Sequence, residues 1–464
     1  MQSILHIMLV FNTLTRGLEE LKPRDGRRLK IFVCGPTVYD YIHVGNGRTF
    51  VFFDAAVKYL RYRGYSVFYL QNITDLDDKI INRGKETGKE PSALAGEFFE
   101  AYLADMAKVR ADAVSYYAFA TDFIREIAGQ VRRLLRIGAA YIAKDGVYFD
   151  ISSFKDYGKL SGQKLDQVMH MVRHEMSASK RNPEDFALWK FTDSDEDGWD
   201  YKWGHGRPGW HVEDTAITEE MLGKTYDIHG GGTDLIFPHH EGEIAIMRTL
   251  SGNRKLARYW IHTGMLNISN RKMAKSEGNM INLRDAVEKY GGNNLRLFFL
   301  SSGYRSELIF DESTVHEAAQ NLNKIQSLYD RLMQKDSFAF GRIDVPEYRN
   351  KLVTAIDKDF DFRSGIMTLL DFVNRVNTEF NDLSKDACKE CLDFLLEVDS
   401  FLCILKSSSS QEKYDLIIDA VLEVREMLRK RKEFDLSDKI RSMLSESGVE
   451  IEDTGGKATW RLRR

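Results

Sequence analysis

The sequence predicts an α/β protein in which a parallel sheet is split by an inserted domain and followed by an α-helical bundle and a small terminal domain. Three observations carry that expectation. Near the N-terminus a strand, a helix and a second strand follow one another within about 45 residues, the signature of a βαβ unit. A second α/β stretch resumes near residue 225, after turn-rich sequence that breaks the alternation. Beyond about residue 310 apolar residues recur three and four apart almost without pause.

Leu29–Val33 is a short apolar strand, Arg48–Tyr62 has helical periodicity, and Tyr65–Leu70 reads as strand again. The string Asn72-Ile-Thr-Asp-Leu-Asp-Asp-Lys79 then falls at the carboxyl end of a parallel strand, where such sheets place their ligand crevice. Residues 116–205 combine a helix (Asp122–Ile137), short strand-like pieces (Gly146–Asp150) and polar turns (Asp193–Gly206), and read as an insertion. Thr225–Phe237 and a helix near Pro238 resume the first architecture. Helices follow at Glu312–Met333, Tyr348–Phe360, Phe362–Asn381, Lys389–Leu405 and Gln411–Leu428, with a Ser-rich break at Ser407–Gln411. Asp435–Ser447 and a tail with turn signals at Gly448 and Gly455-Gly456 close the chain. The expected layout is therefore a split Rossmann-type parallel-sheet domain (1–115 and 206–265), an inserted domain (116–205), a segment at 266–310, a helical bundle (311–406) and a small end domain (407–464).

The bulk numbers exclude several classes. A chain of 464 residues outgrows one core, so several domains are expected. No apolar run reaches the roughly 18 residues that cross a bilayer, and Ile4–Phe11 lacks a basic leader and a cleavage site, so a soluble protein is expected. Four scattered cysteines, Cys34, Cys388, Cys391 and Cys403, suit a reducing cytoplasm better than a disulfide framework. Net charge is −4, yet Val421–Arg464 carries eleven basic against nine acidic residues, so any polyanion contact is expected toward the C-terminus.

Two strings carry chemistry on their own terms. His43-Val-Gly45-Asn46 stands where the first strand's loop enters a helix, so backbone N–H groups and the helix dipole can face a phosphate; a loop histidine beside a turn glycine is the plain alternative. Lys272-Met-Ala-Lys275-Ser276-Glu-Gly-Asn279 sets two cations and a hydroxyl in a Gly-containing loop suited to a triphosphate, or to nothing more than a solvated basic turn. Together and in this order, they resemble the two signatures of class I aminoacyl-tRNA synthetases.

Further strings narrow the resemblance. Cys34–Asp40 (CGPTVYD), Asn72–Asp75 (NITD), Asn182–Lys190, Gly209–Glu213 (GWHVE), His229–Glu241 (HGGGTDLIFPHHE) and Asp438–Arg441 through Trp460 resemble the cysteinyl-tRNA synthetases over nearly the whole chain. The resemblance implies a ligase that uses ATP with Mg²⁺ to activate L-cysteine and charges tRNA(Cys), with no membrane or DNA partner and a monomer as the working expectation. It implies His43, Asn46, Lys272 and Lys275 as the residues that stabilise charge at the α-phosphorus, and His43, Gly45, Gly232, Asp234 and Lys275 as the ATP site. Gly35, Thr74 and Trp210 would meet the cysteine, though from residues alone Trp210 reads equally well as core packing. Asn46 stands where many members of the family have a second histidine, and a change of rate is expected from it.

The resemblance also implies a Zn²⁺ site, at Cys34, Asp214, His239 and Glu243. The family has a second cysteine where this chain has Asp214, whose oxygen is an acceptable zinc ligand at about 2.0 to 2.2 Å but gives a harder site. His239 and Glu243 lie one helical turn apart and share a face. A polar, metal-free pocket is the alternative. Cys388-Lys-Glu-Cys391 has the C-x-x-C spacing, but it falls in helical sequence and reads as helix packing. Arg425, Arg429, Lys430, Arg441 and Trp460 suit phosphate contacts and base stacking in an anticodon, or a solvated helix face. Two rivals to the tRNA ligase are a cysteine ligase with an amino-sugar acceptor and a catalytically silent RNA-binding paralogue.

Overall fold

The computed structural model describes residues 7–163, 179–194, 196–252, 256–268, 271–272, 280–335, 339–406, 410–431, 433–447, 449–454 and 457–462. Two compact units divide the chain, 1–405 and 406–464.

The centre of the first unit is a five-stranded sheet of β1 (Arg28–Val33), β2 (Ser66–Ile73), β3 (Tyr116–Phe119), β4 (Tyr226–Gly232) and β5 (Ala257–Thr263), in the order β5-β4-β1-β2-β3. Every pairing is parallel. The winding direction reverses between β1 and β4, so a crevice opens at their carboxyl ends. Both faces are covered, which is why β1 and β2 read as near-continuous apolar runs. Ile31 and Val33 face one core, with helix α1 (Val44–Tyr62), while Phe32 and Cys34 face another, with helices Ile124–Arg136, α3 (Trp210–Leu222) and α4 (Glu241–Ser251). Between β2 and β3 lies α2 (Asp78–Thr87).

The strand Tyr116–Phe119 corrects the expected boundary at residue 116. Its four residues pair with Leu70–Ile73, so the alternation runs on into residues assigned to the insertion. So short a strand carries too little periodicity to announce itself in sequence. The inserted architecture is an antiparallel sheet of Ala140–Ile142, Gly146–Phe149, Phe186–Phe191, Gly204–Pro208 and Trp199–Tyr201.

After β5 the chain forms a small sheet in which Leu266–Ile268 pairs with Arg271–Lys272 and with Leu308–Phe310. Helices Glu312–Gln334, Val345–Asp357, Phe362–Glu379 and Lys385–Leu402 follow, close to the expected spans. Cys388 and Cys391 lie buried and free on the last of these, as helix packing. The second unit holds helices Ser410–Lys430 and Phe434–Glu446 and the hairpin Val449–Thr454/Lys457–Leu462. There Arg425 is only 1% exposed, so it does not present itself to a polyanion, while Trp460 donates its Nε1 hydrogen to Asp419 at 2.9 Å.

Two buried arginines bind α1 to its surroundings. Arg296 pairs with Asp54 at 2.6 Å, and Asp54 also accepts from the N–H groups of Asp112 and Ala113. Among the described residues Arg48, 1% exposed, has only carbonyl partners: Gly264 and Met265 at 2.8 Å each, Ser306 at 2.6 Å, Gly303 and Tyr304 further off. One guanidinium thus holds α1 against the starts of both strands 266–268 and 308–310. Removal from water lowers its pKa to about 10, and it stays charged at neutral pH.

Candidate active site and metal pocket

The crevice between β1 and β4 holds a cluster of donor side chains drawn from four elements. Cys34 follows β1, Asp214 lies on α3, His239 lies in the turn Ile236–His240 before α4, and Glu243 lies in the first turn of α4. His239 Nε2 is 3.0 Å from both Asp214 Oδ2 and Glu243 Oε1, and Cys34 Sγ is 3.4 Å from Asp214 Oδ2 and 3.9 Å from Glu243 Oε1. Ligands of a tetrahedral ion with bonds of about 2.0 to 2.3 Å stand some 3.2 to 3.8 Å apart, close to these separations. Among the described residues, however, the group whose ligand atoms all lie within 4.8 Å of one another is Cys34, His239, His240 and Glu243, with His240 where Asp214 was expected. Asn72 donates to Asp214 Oδ1 at 2.7 Å and leaves Oδ2 for the pocket, an orienting bond of the kind that supports metal ligands. Among the described residues Glu243 Oε2 is buried without a hydrogen-bond partner, and His229 Nε2 stands 3.4 Å from it.

The electrostatics agree with a cation. Burial raises the Cys34 thiol well above its ordinary value, and the neighbouring Glu243 and Asp214 push it the same way. Burial also raises Glu243. For His239 burial favours the neutral ring, but Glu243 and Asp214 outweigh it and raise its pKa to about 10. All three groups are thus pushed toward holding protons, which a bound cation would replace.

Around them stand residues that sequence reasoning passed over. His240 Nε2 is 3.1 Å from Cys34 Sγ and could serve as a further donor, and His240 Nδ1 meets His262 Nε2 at 2.8 Å. His229 stacks on Trp260 with its Nδ1 2.6 Å from the Tyr226 hydroxyl. Glu213 accepts from Thr74 Oγ1 at 2.5 Å. The doubled histidine of the Pro-His-His-Glu string was the one available signal for His240; His262 and Tyr226 had none, because only the β4–β5 pairing brings them in.

Beside this pocket the backbones of β1 and β2 come unusually close. The Gly35 N–H donates to Asn72 Oδ1 at 2.7 Å, and a Cβ on Gly35 would lie 1.8 Å from the Asn72 carbonyl oxygen, so only glycine fits. Thr74 is buried where residues 36–38 pair back on it. Trp210 is 43% exposed at the start of α3, so packing in a core does not explain it; its Nε1 donates to Asp77 Oδ2 at 3.0 Å.

At the N-terminus of α1, His43 is the cap. Its Nδ1 accepts from the Asn46 N–H at 3.2 Å while its own N–H donates to Asn46 Oδ1, a reciprocal capping box that leaves the proton of the neutral ring on Nε2. Burial lowers the His43 pKa, partly offset by the charge of Asp234. Asp234 is exposed just past Gly232, so the carboxyl end of β4 and the start of α1 share one electrostatic neighbourhood. Val44 N and Ile42 O bond to Ile281 O and Leu283 N, which ties the first signature to the residues after the second. Lys272 lies on the strand Arg271–Lys272, whereas Lys275, Ser276 and Asn279 lie outside the described residues.

The description of the class I (C) tRNA synthetase catalytic domain matches residues 20–320. Over 98% of its length the chain is 46% identical to a cysteine–tRNA ligase of Thermoplasma volcanium, covering 99% of that protein. The chain belongs to the cysteine–tRNA ligase family. A cysteine–tRNA ligase of Clostridioides difficile is 37% identical over 98% of this chain and all of that protein. Among solved structures, a Mycobacterium tuberculosis methionyl-tRNA synthetase in complex with methionyl-adenylate is similar in fold, with a TM-score of 0.60 at 15% identity over 82% of this chain and 90% of that one. Membership makes the enzyme an aminoacyl-tRNA ligase, and the family's split parallel sheet is the one seen here.

Proposed function

We propose that this cysteine–tRNA ligase selects L-cysteine at the Cys34, Asp214, His239 and Glu243 cluster and activates it with ATP at the adjoining α1 terminus. The observation that carries this reading is the convergence of those four donors beside Gly35 and Thr74, at the switch point of the sheet. Zn²⁺ held there would take the cysteine side chain as a thiolate ligand, which a serine hydroxyl matches poorly. Asp214 in place of a second thiolate gives this chain a harder donor set, with a single protein sulfur.

The chain's own residues supply the rest. The cysteine carboxylate attacks the α-phosphorus of ATP, and charge moves onto pyrophosphate, so positioned donors and cations do most of the work. The Nε2–H of neutral His43, the N–H groups around Gly45, and Lys272 and Lys275 would carry that charge with Mg²⁺ on the nucleotide; Gly232 and Asp234 would hold the ribose. A ribose hydroxyl of the 3'-terminal adenosine of tRNA(Cys) then attacks the carbonyl carbon of the cysteinyl-adenylate, forming the ester and releasing AMP. Relatives named as cysteine–tRNA ligases match the chain through its C-terminal unit, which favours tRNA over an amino-sugar acceptor.

Cysteine-dependent exchange of pyrophosphate into ATP tests the first step, and charging of a tRNA with a cysteine anticodon the second. About one metal per chain is expected by elemental analysis, lost in His239→Ala. A fully active, metal-free protein would sink the selection mechanism.

A further inference from the structure

We propose that Lys79 contacts the phosphodiester backbone at the 3' end of the RNA acceptor, holding the acceptor strand at the lip of the substrate pocket. This rests on the tRNA ligase reading above. Lys79 is the second residue of α2, where its N–H donates to the cap Asp77 at 3.0 Å, and its exposed side chain runs back over the pocket mouth. The ammonium stands 5.1 Å from the centre of the Trp210 ring and 5.4 Å from that of Tyr39, so one cation joins the start of α3 to the loop that follows Cys34 and Gly35.

The neighbouring acids are already engaged. Asp77 accepts from Trp210 and from the Lys79 backbone, Asp75 from Thr121, and Asp78 pairs with Lys190 and Arg207 at 2.9 Å each. Those last two pairs bring the inserted sheet's strands Phe186–Phe191 and Gly204–Pro208 against α2, so a wall rises beside the mouth. Among the described residues the contacts of the Lys79 ammonium are the rings of Trp210 and Tyr39. Its charge is therefore available to a ligand.

Exposure decides which ligand. Thr74 is 6% exposed and the Gly35 N–H is turned inward onto Asn72, so a small amino acid bound among them sits below the lip. A solvent-facing cation above it meets whatever reaches the pocket from outside. A single-stranded RNA end does so with a phosphate every nucleotide, and such contacts position the strand without reading its sequence. The partly exposed faces of Trp210 and Tyr39 offer stacking surfaces at the same place.

The test separates the two half-reactions. For Lys79→Ala, kcat/KM for tRNA with a cysteine anticodon should fall by roughly threefold to tenfold, clearly more than cysteine-dependent pyrophosphate exchange measured on the same preparation. The slope of log(kcat/KM) for tRNA against log salt should shrink by about 0.7, the value for one single-strand phosphate contact. Lys79→Arg, which keeps the charge, should restore most of the loss. Equal losses in exchange and charging would overturn the contact and assign Lys79 to the amino acid or to pocket structure; no loss in either would overturn it as well. A wild-type enzyme that exchanges pyrophosphate but charges no such tRNA would overturn the functional reading itself, before Lys79 is at issue.

Discussion

The candidate metal pocket and the α1 terminus adjoin each other, yet they are built on opposite principles. The pocket is made of side chains: Cys34, Asp214 and Glu243 are buried, contributed by separate elements, and oriented by further buried groups such as Asn72. At the terminus the binding surface is largely backbone, half-exposed, and shaped by residues within one turn of each other, with His43 and Asn46 capping one another. Losing one side chain from the first should be costly because its neighbours cannot relax toward water. Losing one from the second leaves helix N–H groups in place and should be graded.

That contrast can be broken most directly at Asp214. If the proposed donor set holds, Asp214→Ala removes one ligand in four from a site of the kind that contributes about 10–16 kcal/mol, so metal affinity should fall about 100- to 1000-fold, with cysteine-dependent exchange lost in parallel. Metal retained at wild-type affinity by competition with a chelator would show that His240 or another group, not Asp214, completes the site. Next in size is Arg48→Met on α1. It removes the shared donor of five carbonyl oxygens, of which those of Met265, Gly303 and Tyr304 also accept from backbone N–H groups, and should destabilise the first unit by about 3 kcal/mol in denaturant unfolding. A change below about 1 kcal/mol would mean that water replaces the guanidinium without difficulty.

Acid should also tell the regions apart. Burial pushes His262, behind the pocket, down to about 3. Its unfolded value is about 6.5, so below that pH the unfolded chain binds a proton that the native one refuses. The stability it permits is fully present above about 6.5 and is lost by about 1.4 kcal/mol per pH unit as pH falls toward 3. His262→Gln should flatten that slope between pH 6 and 4 (roughly the range in which the shift acts) in unfolding experiments; an unaltered slope would rule His262 out as its source. The smallest effect is expected at Asn46→Ala, which loses half a capping box and should cost about 1 kcal/mol of stability and a modest factor in exchange rate. A drop of a hundredfold would make the terminus as intolerant as the pocket and erase the distinction.

How much was legible beforehand follows the same division. Strands β1 and β2, α1 and the bundle helices were readable because each announces itself through its own apolar period. The strand Tyr116–Phe119 was not, since four residues show no period and its place was set by pairing with β2. His43 with Asn46 could be read as a helix entrance because capping is local. Of the four donors, only His239 and Glu243 could be linked by spacing; Cys34 and Asp214 lie 180 residues apart, and only a family resemblance joined them.

The sequence by itself therefore determined the fold class and both signature strings, since each is a property of residue type or short-range spacing. Tertiary structure decided which oxygen of Asp214 faces the pocket, that His240 and His262 stand behind it, and that Trp210 and Lys79 meet at its mouth. Those are consequences of crossing a parallel sheet at its switch point, where strands adjacent in space are far apart in the chain.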